Sequence, residues 1–224
     1  MSDRLYVATK APRPGFVKTR LGSSLGHESA AGLYRAFLKD LSRRLRGLPI
    51  STGWFVTPDD GWPEVVEVVG SGWAAPLAQG DGDWGARQDR LFRSAADRGE
   101  DRVVLIASDS PQVGIEAIAA AFAALDTHDL VLGPVFDGGY WLLGMRSYHP
   151  VLAGVQMSTC AVLEHLLSRA SQDGLAVKLM RPIFDVDETS DLEQLSVAAH
   201  SLNDMPATIE ALRRLGSTVE ATQA

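Results

Sequence analysis

The sequence predicts an α/β fold: a mostly parallel sheet with helices on both faces. Short apolar runs alternate with stretches of helical periodicity from one end of the chain to the other. The strongest run, Val103-Val104-Leu105-Ile106-Ala107, is apolar at consecutive positions, as a strand covered on both faces must be. Gly, Pro and Asp gather just after such runs, where the chain turns over the carboxyl edge of a sheet.

Leu5-Tyr6-Val7-Ala8 reads as the first strand, ended by Pro12, Pro14 and Gly15. Over 28–48, Leu33, Phe37, Leu41, Leu45 and Leu48 recur at spacings of three and four with Arg and Lys between them, an amphipathic helix. Trp54-Phe55-Val56-Thr57 is the next strand, and Val65 to Val69 a weaker one. Residues 76–87 form a Gly- and Asp-rich loop, and about 86–99 a helix. After the strand at 103–107 come an alanine-rich helix over 115–125 and strands at Leu130–Leu132 and Tyr140–Leu143. Ser158 is placed to cap a helix running to about Ser171. Val177–Met180 and Phe184–Val186 are short extended pieces. Ser190-x-x-Glu193 has capping-box form before another helix. A last helix covers roughly 206–215, with a frayed polar tail. No repeat, low-complexity tract or linker divides the chain, so residues 1–224 are read as one domain.

Composition narrows the function. The 224 residues carry 21 Lys plus Arg against 28 Asp plus Glu, a net charge of −7 that argues against a nucleic-acid-gripping surface. With 46% hydrophobic and 22% charged residues the chain is neither disordered nor fibrous. No apolar run approaches the roughly 20 residues needed to span a bilayer, and the first residues lack a signal-peptide core. A single cysteine, Cys160, cannot form an internal disulfide and suits a reducing, cytoplasmic compartment; buried packing is its default role. The five histidines show no metal-binding spacing.

Five constellations carry candidate chemistry. In Lys10-Ala11-Pro12-Arg13-Pro14-Gly15-Phe16-Val17-Lys18-Thr19-Arg20-Leu21, the cations Lys10, Arg13, Lys18 and Arg20 crowd one loop after the first strand. Prolines and Gly15 fix its path, and its charges and backbone N–H groups suit phosphate oxygens. It is neither a P-loop nor a dinucleotide fingerprint, and a solvated basic loop is the plainer alternative. Ser108-Asp109-Ser110-Pro111 ends the best strand, where Asp109 serves either as a divalent-metal ligand or as a cap of the 115–125 helix. Asp137-Gly138-Gly139-Tyr140 is either a hairpin turn or a ligand-facing loop offering an acceptor, close backbone approach and a phenol. In Phe184-Asp185-Val186-Asp187, alternation sets both carboxylates on one side, as a second metal ligand or an acidic loop capping the next helix. Gly80–Arg87, a glycine-rich loop ending in Arg87, either touches a base or ribose or turns the chain.

In this order the segments KAPRPGFVKTRL, GDWGAR, ASDSPQ, GPVFDGGYWLLG, MSTCAVLEH and DVDETSDL resemble bacterial transferases of the nucleotide-diphospho-sugar transferase superfamily (GT-A fold). They are most similar to the group associated with radical-SAM, selenium and arsenosugar genes. The loop at Lys18-Thr19-Arg20-Leu21 is also similar to that of phospholactate guanylyltransferases, with molybdenum-cofactor guanylyltransferases more distant. The resemblance spans about residues 4–196. It implies a three-layer Rossmann-like sheet, a nucleotide under the first loop, and Mg²⁺ (or Mn²⁺) on Asp109 with Asp187 as second carboxylate and Asp185 in reserve. Ser108, Ser110 and Trp84 depart from the family's usual residues, and Trp84 bears on what the nucleotide pocket accepts.

The expected function is transfer of a nucleoside monophosphate from an NTP to a small phosphate- or phosphonate-bearing acceptor, because four cations suit three phosphates and a departing pyrophosphate. Glycosyl transfer from an NDP-sugar, with Asp137 as base, is the alternative, and a non-catalytic nucleotide binder the second. The expected partners are thus a nucleotide and a small-molecule acceptor, with no nucleic acid or membrane, in a monomer or homodimer. Lys18, Arg20, Asp109 and Asp137 are the expected catalytic residues. Lys10, Arg13, Gly15, Lys18, Arg20, Arg87, Gly138, Gly139 and Tyr140 are expected to hold nucleotide and phosphate.

Overall fold

The computed structural model describes all residues except Met1, Ser158, Asn203 and Ala224, with side chains through Leu215. Seven strands form one sheet: β1 (Asp3–Lys10), β2 (Ser51–Thr57), β3 (Leu77–Ala78), β4 (Arg102–Ala107), β5 (Leu130–Pro134), β6 (Tyr140–Arg146) and β7 (Val177–Leu179). Their order is β3-β2-β1-β4-β6-β5-β7. Only β6 runs antiparallel to its neighbours, β4 and β5; every other pairing is parallel. The helices are α1 (Thr19–Leu25), α2 (His27–Leu45), α3 (Trp62–Val69), α4 (Trp84–Asp97), α5 (Ile115–Ala124), α6 (Val162–Gln172), α7 (Asp191–Leu202) and α8 (Pro206–Gln223).

Strand alternation sends successive side chains to opposite cores, giving three layers. Leu5, Val7, Trp54, Val56, Val104 and Ile106 face the core built with α2, α3, α5 and α7. Tyr6, Phe55, Val103 and Leu105 face the other, built with α4 and α6. Each fully buried Leu, Val or Phe contributes about 1.5–3 kcal/mol. α2 supplies Leu33, Phe37, Leu41 and Leu45, its expected stripe. Asp40 of the same helix is 1% exposed and accepts the N–H groups of Ala207 (3.0 Å) and Thr208 (2.7 Å), capping α8.

Several local expectations are corrected. Val65 to Val69 is helix, not strand: Pro63 sits in its first turn, and Val65 and Val69, four apart, are its buried residues. Seven-residue α1 follows the basic loop. Phe184–Val186 lies outside the strands, although Ile183 bridges Val135. α7 begins at Asp191, directly after Ser190 as expected, and the Asp191 carboxylate accepts the N–H groups of Asp187 and Glu188. α8 continues to Gln223 through the tail expected to fray. Cys160 is exposed and precedes α6. The proposed cap at Ser158 lies outside the described residues. No helix among the described residues is long and apolar enough to cross a membrane.

Candidate active site

Parallel pairing brings the carboxyl ends of β2, β1 and β4 side by side, with Lys10 opposite Thr57 and Ala8 opposite Ala107. A cleft of about 730 Å³ opens over them. Lys10, Lys18, Arg20, Asp109, Asp185 and Asp187 line it, together with Thr57, Gln79, Trp84, Arg87 and Tyr140.

Lys18 sets the centre. It stands just before α1 with φ 45° and ψ 49°, a left-handed conformation few non-glycine residues adopt. Its Nζ donates to Asp109 Oδ2 (3.0 Å) and to Asp187 Oδ1 (3.2 Å), joining two loops 78 residues apart (187 − 109). The Lys18 side chain is 4% exposed, whereas the two carboxylates are 45% and 40% exposed. Burial alone would lower the Lys18 ammonium's pKa, but the two carboxylates outweigh it and hold the pKa above the ordinary value. Desolvation would likewise raise the Asp109 carboxyl; the Lys18 ammonium outweighs it and keeps it below the usual range. Arg20 Nη1 reaches Asp187 Oδ2 at 3.2 Å. Asp185 differs: burial, then the charges of Asp109, Asp137 and Asp187, outweigh the Lys18 ammonium and push its carboxyl up to about 7. Asp109 does not cap α5, which starts after Gly114.

The donor set fits a hard divalent ion. Asp109 and Asp187 already share one cation, the Lys18 ammonium, and Asp185 adjoins them. Among the described residues no group of three or more His, Cys, Asp or Glu side chains forms a metal site. Mg²⁺ needs no such cage, because one or two carboxylates with substrate phosphates and water suffice.

Supports behind the carboxylates escaped sequence reasoning. Tyr34 OH bonds Ser108 Oγ (2.7 Å) and accepts the Lys10 N–H (3.1 Å), tying the ends of β1 and β4 together. Arg44 donates to the carbonyls of Val113 (2.8 Å) and Pro111, holding the loop that follows Asp109. Gln112 Nε2 donates to Phe184 O (2.6 Å), linking that loop to the segment of Asp185 and Asp187. Gln88 Nε2 donates to the Tyr140 phenol (2.7 Å), whose pKa is pushed up by burial. A signal existed for α2: Tyr34, Phe37, Leu41 and Arg44 share one helix face, so an arginine sits in the apolar stripe.

Of the remaining expected residues, Arg87 alone lines the cleft. Arg13 lies outside the cleft lining, paired with Glu64 (2.6 Å) and Asp60 (3.3 Å). Gly15 turns the exposed loop at φ 74°. Asp137, Gly138 and Gly139 form the β5–β6 turn outside the lining, with Asp137 Oδ1 accepting the Gly139 N–H at 3.0 Å. A Cβ on Gly138 would fall 1.9 Å from the Cys160 carbonyl, so the close approach there is to the chain itself. In the Gly80–Arg87 loop, Asp83 caps α4 through the Ala86 N–H (2.8 Å), and Arg87 lines the cleft while donating to Gly82 O (2.8 Å).

A family described as "Uncharacterized protein conserved in bacteria (DUF2064)" matches residues 50–159. A crystal structure of a "putative nucleotide-diphospho-sugar transferase" from Desulfovibrio desulfuricans G20 superposes with a TM-score of 0.90 at 31% identity, covering 99% of this chain and 98% of that one. The chain belongs to the same family as that protein. The arrangement of α/β layers is also shared with more distant structures. A CMP:2-keto-3-deoxy-manno-octonic acid synthetase complexed with CTP shares the fold at 9% identity (TM-score 0.57; 90% of this chain, 99% of that one). The inositol-1-phosphate CTP transferase from T. maritima does so at 14% identity (TM-score 0.51; 96% of each chain). No curated protein matches the sequence.

Proposed function

We propose that this chain is a nucleotide-dependent transferase that moves a nucleoside monophosphate from an NTP onto a small phosphate- or phosphonate-bearing acceptor, releasing pyrophosphate. The observation that carries the reading is the convergence of Lys18, Arg20, Asp109 and Asp187 in one cleft over the carboxyl ends of the central strands. The likeness of its relative to nucleotide-sugar transferases and the shared fold of CTP-using enzymes support the nucleotide.

In this reading Lys10, Lys18 and Arg20 bind and neutralise the phosphates, and Asp109 and Asp187, with Asp185 in reserve, hold Mg²⁺ or Mn²⁺. When bound, that ion neutralises phosphate charge and polarises the reacting phosphorus. An acceptor oxygen attacks the α-phosphorus in line; the bond to the bridging oxygen breaks, and pyrophosphate leaves with both electrons of that bond. Lys18 and Arg20 stabilise the charge on the leaving group, so positioning and neutralisation do most of the work without a protein nucleophile. Arg87 and Trp84 face the nucleoside. The narrower membership, in the radical-SAM- and arsenosugar-associated group, belongs to the same proposal, as does a cytoplasmic, single-domain enzyme.

Glycosyl transfer from an NDP-sugar is the second reading, favoured by the description of the Desulfovibrio relative. It asks for a carboxylate base at the acceptor, and Asp137 is engaged in its own turn. A screen for pyrophosphate release from NTPs with phosphorylated and phosphonate acceptors tests the choice. Release that requires both acceptor and divalent metal supports nucleotidyl transfer; sugar release from an NDP-sugar in its place overturns it.

A further inference from the structure

Lys18 was expected to meet phosphate, yet its ammonium is bonded to both carboxylates expected to hold the metal. The two roles are compatible only if they are consecutive. We infer that Lys18 is the resident counter-cation of the Asp109–Asp187 pair, and that it moves from the carboxylates to the nucleotide's phosphates as the divalent ion arrives. This rests on the nucleotide-dependent reading and adds a binding order to it: metal binds appreciably only together with the nucleotide.

The charges require the exchange. Two carboxylates face one ammonium and one guanidinium, Lys18 and Arg20, so these four groups sum to zero before any ligand enters. A bare dication would be drawn by two carboxylates already satisfied and repelled by an ammonium that is 4% exposed and little screened by water. A nucleotide's phosphates change that balance, because they offer the ammonium a new anionic partner within the same cleft. The side chain suits the exchange: a lysine is a point charge on a flexible four-carbon stem, free of the fixed fork of an arginine. Its left-handed backbone fixes the root of that stem at the start of α1 while the tip moves.

Direct titration of Mn²⁺ without nucleotide, followed by electron paramagnetic resonance, tests the order in wild-type protein, Lys18→Met and Lys18→Arg. Lys18→Met should bind bare Mn²⁺ at least tenfold more tightly than wild type, whereas Lys18→Arg, which keeps the charge, should bind it as weakly as wild type. Equal Mn²⁺ affinity in wild type and Lys18→Met overturns the inference, as does tight binding by Lys18→Arg. Thermal shift with Mg²⁺ and nucleoside triphosphates is read in parallel. Lys18→Met should lose most of the stabilisation that wild type gains, and retention of the full shift would also overturn the exchange. If wild type gains none from any triphosphate or NDP-sugar, the nucleotide reading falls, separately from the Mn²⁺ comparison.

Discussion

Asp109 and Asp185 show how neighbouring carboxyls in one cleft are driven apart by their partners. Lys18 holds Asp109 ionised against the desolvation that would raise it, whereas Asp185 has burial and three like charges pushing it to about 7. Under the proposed function, Asp109→Asn should lower metal-dependent turnover by about 100-fold or more, with circular dichroism unchanged. Asp185 makes the opposite kind of prediction. Its folded-state pKa lies above the ordinary 3.8, so ionising it costs stability as pH rises from that value to about 7. In EDTA-treated protein, Asp185→Asn should be as stable as wild type near pH 4. It should gain relative to wild type up to about pH 7 and hold a constant advantage above it. Chemical denaturation across that range checks the sign, and a gain that grows toward low pH would contradict it.

The elements show what was legible in the sequence and why. β1, β2 and β4 announced themselves because strands buried on both faces are apolar at successive positions, and α2 because its stripe runs over more than three turns. α3 read as a strand because Val65, Val66, Val68 and Val69 are β-branched; the four-residue spacing of its buried valines is the better guide. Seven-residue α1 is too short for periodicity to register. Asp109 was legible from its place directly after β4 and Lys18 from the basic loop after β1, where α/β sheets bind ligands; Asp187 was named for a strand end that the fold does not form, and it reaches the cleft from the segment before α7. Tyr34, Arg44 and Gln112 were not, since their partners lie 74, 69 and 72 residues away and only the tertiary fold brings them together. Two substitutions test the element level. Asp40→Ala removes the buried cap of α8 and should cost about 1–2 kcal/mol in urea denaturation. Gly138→Ala drives a methyl into the Cys160 carbonyl at φ 91° and should cost about 2 kcal/mol or more, reported by a lower urea midpoint.

Across the whole molecule, the net charge of −7 argues against a broad basic face but says little about one cleft. Lys10, Lys18 and Arg20 line that cleft together with Asp109, Asp185 and Asp187, so the site is locally balanced, while Arg13 is spent on Glu64 at its outer side. In the proposed reading such a site takes a small polyanion carried with a metal, and the carboxyl ends of the parallel strands supply the place. Ligand binding to the folded state alone raises stability by about 2.7 kcal/mol at 100 times Kd, or roughly 5–10 °C for a domain of this size. The most direct measurement is therefore thermal unfolding with Mg²⁺ against a panel of the four NTPs and of UDP- and GDP-sugars. The nucleotidyltransferase account predicts a shift of that size with at least one NTP and its loss in Asp109→Asn; stabilisation by NDP-sugars alone, or by no nucleotide, would contradict it.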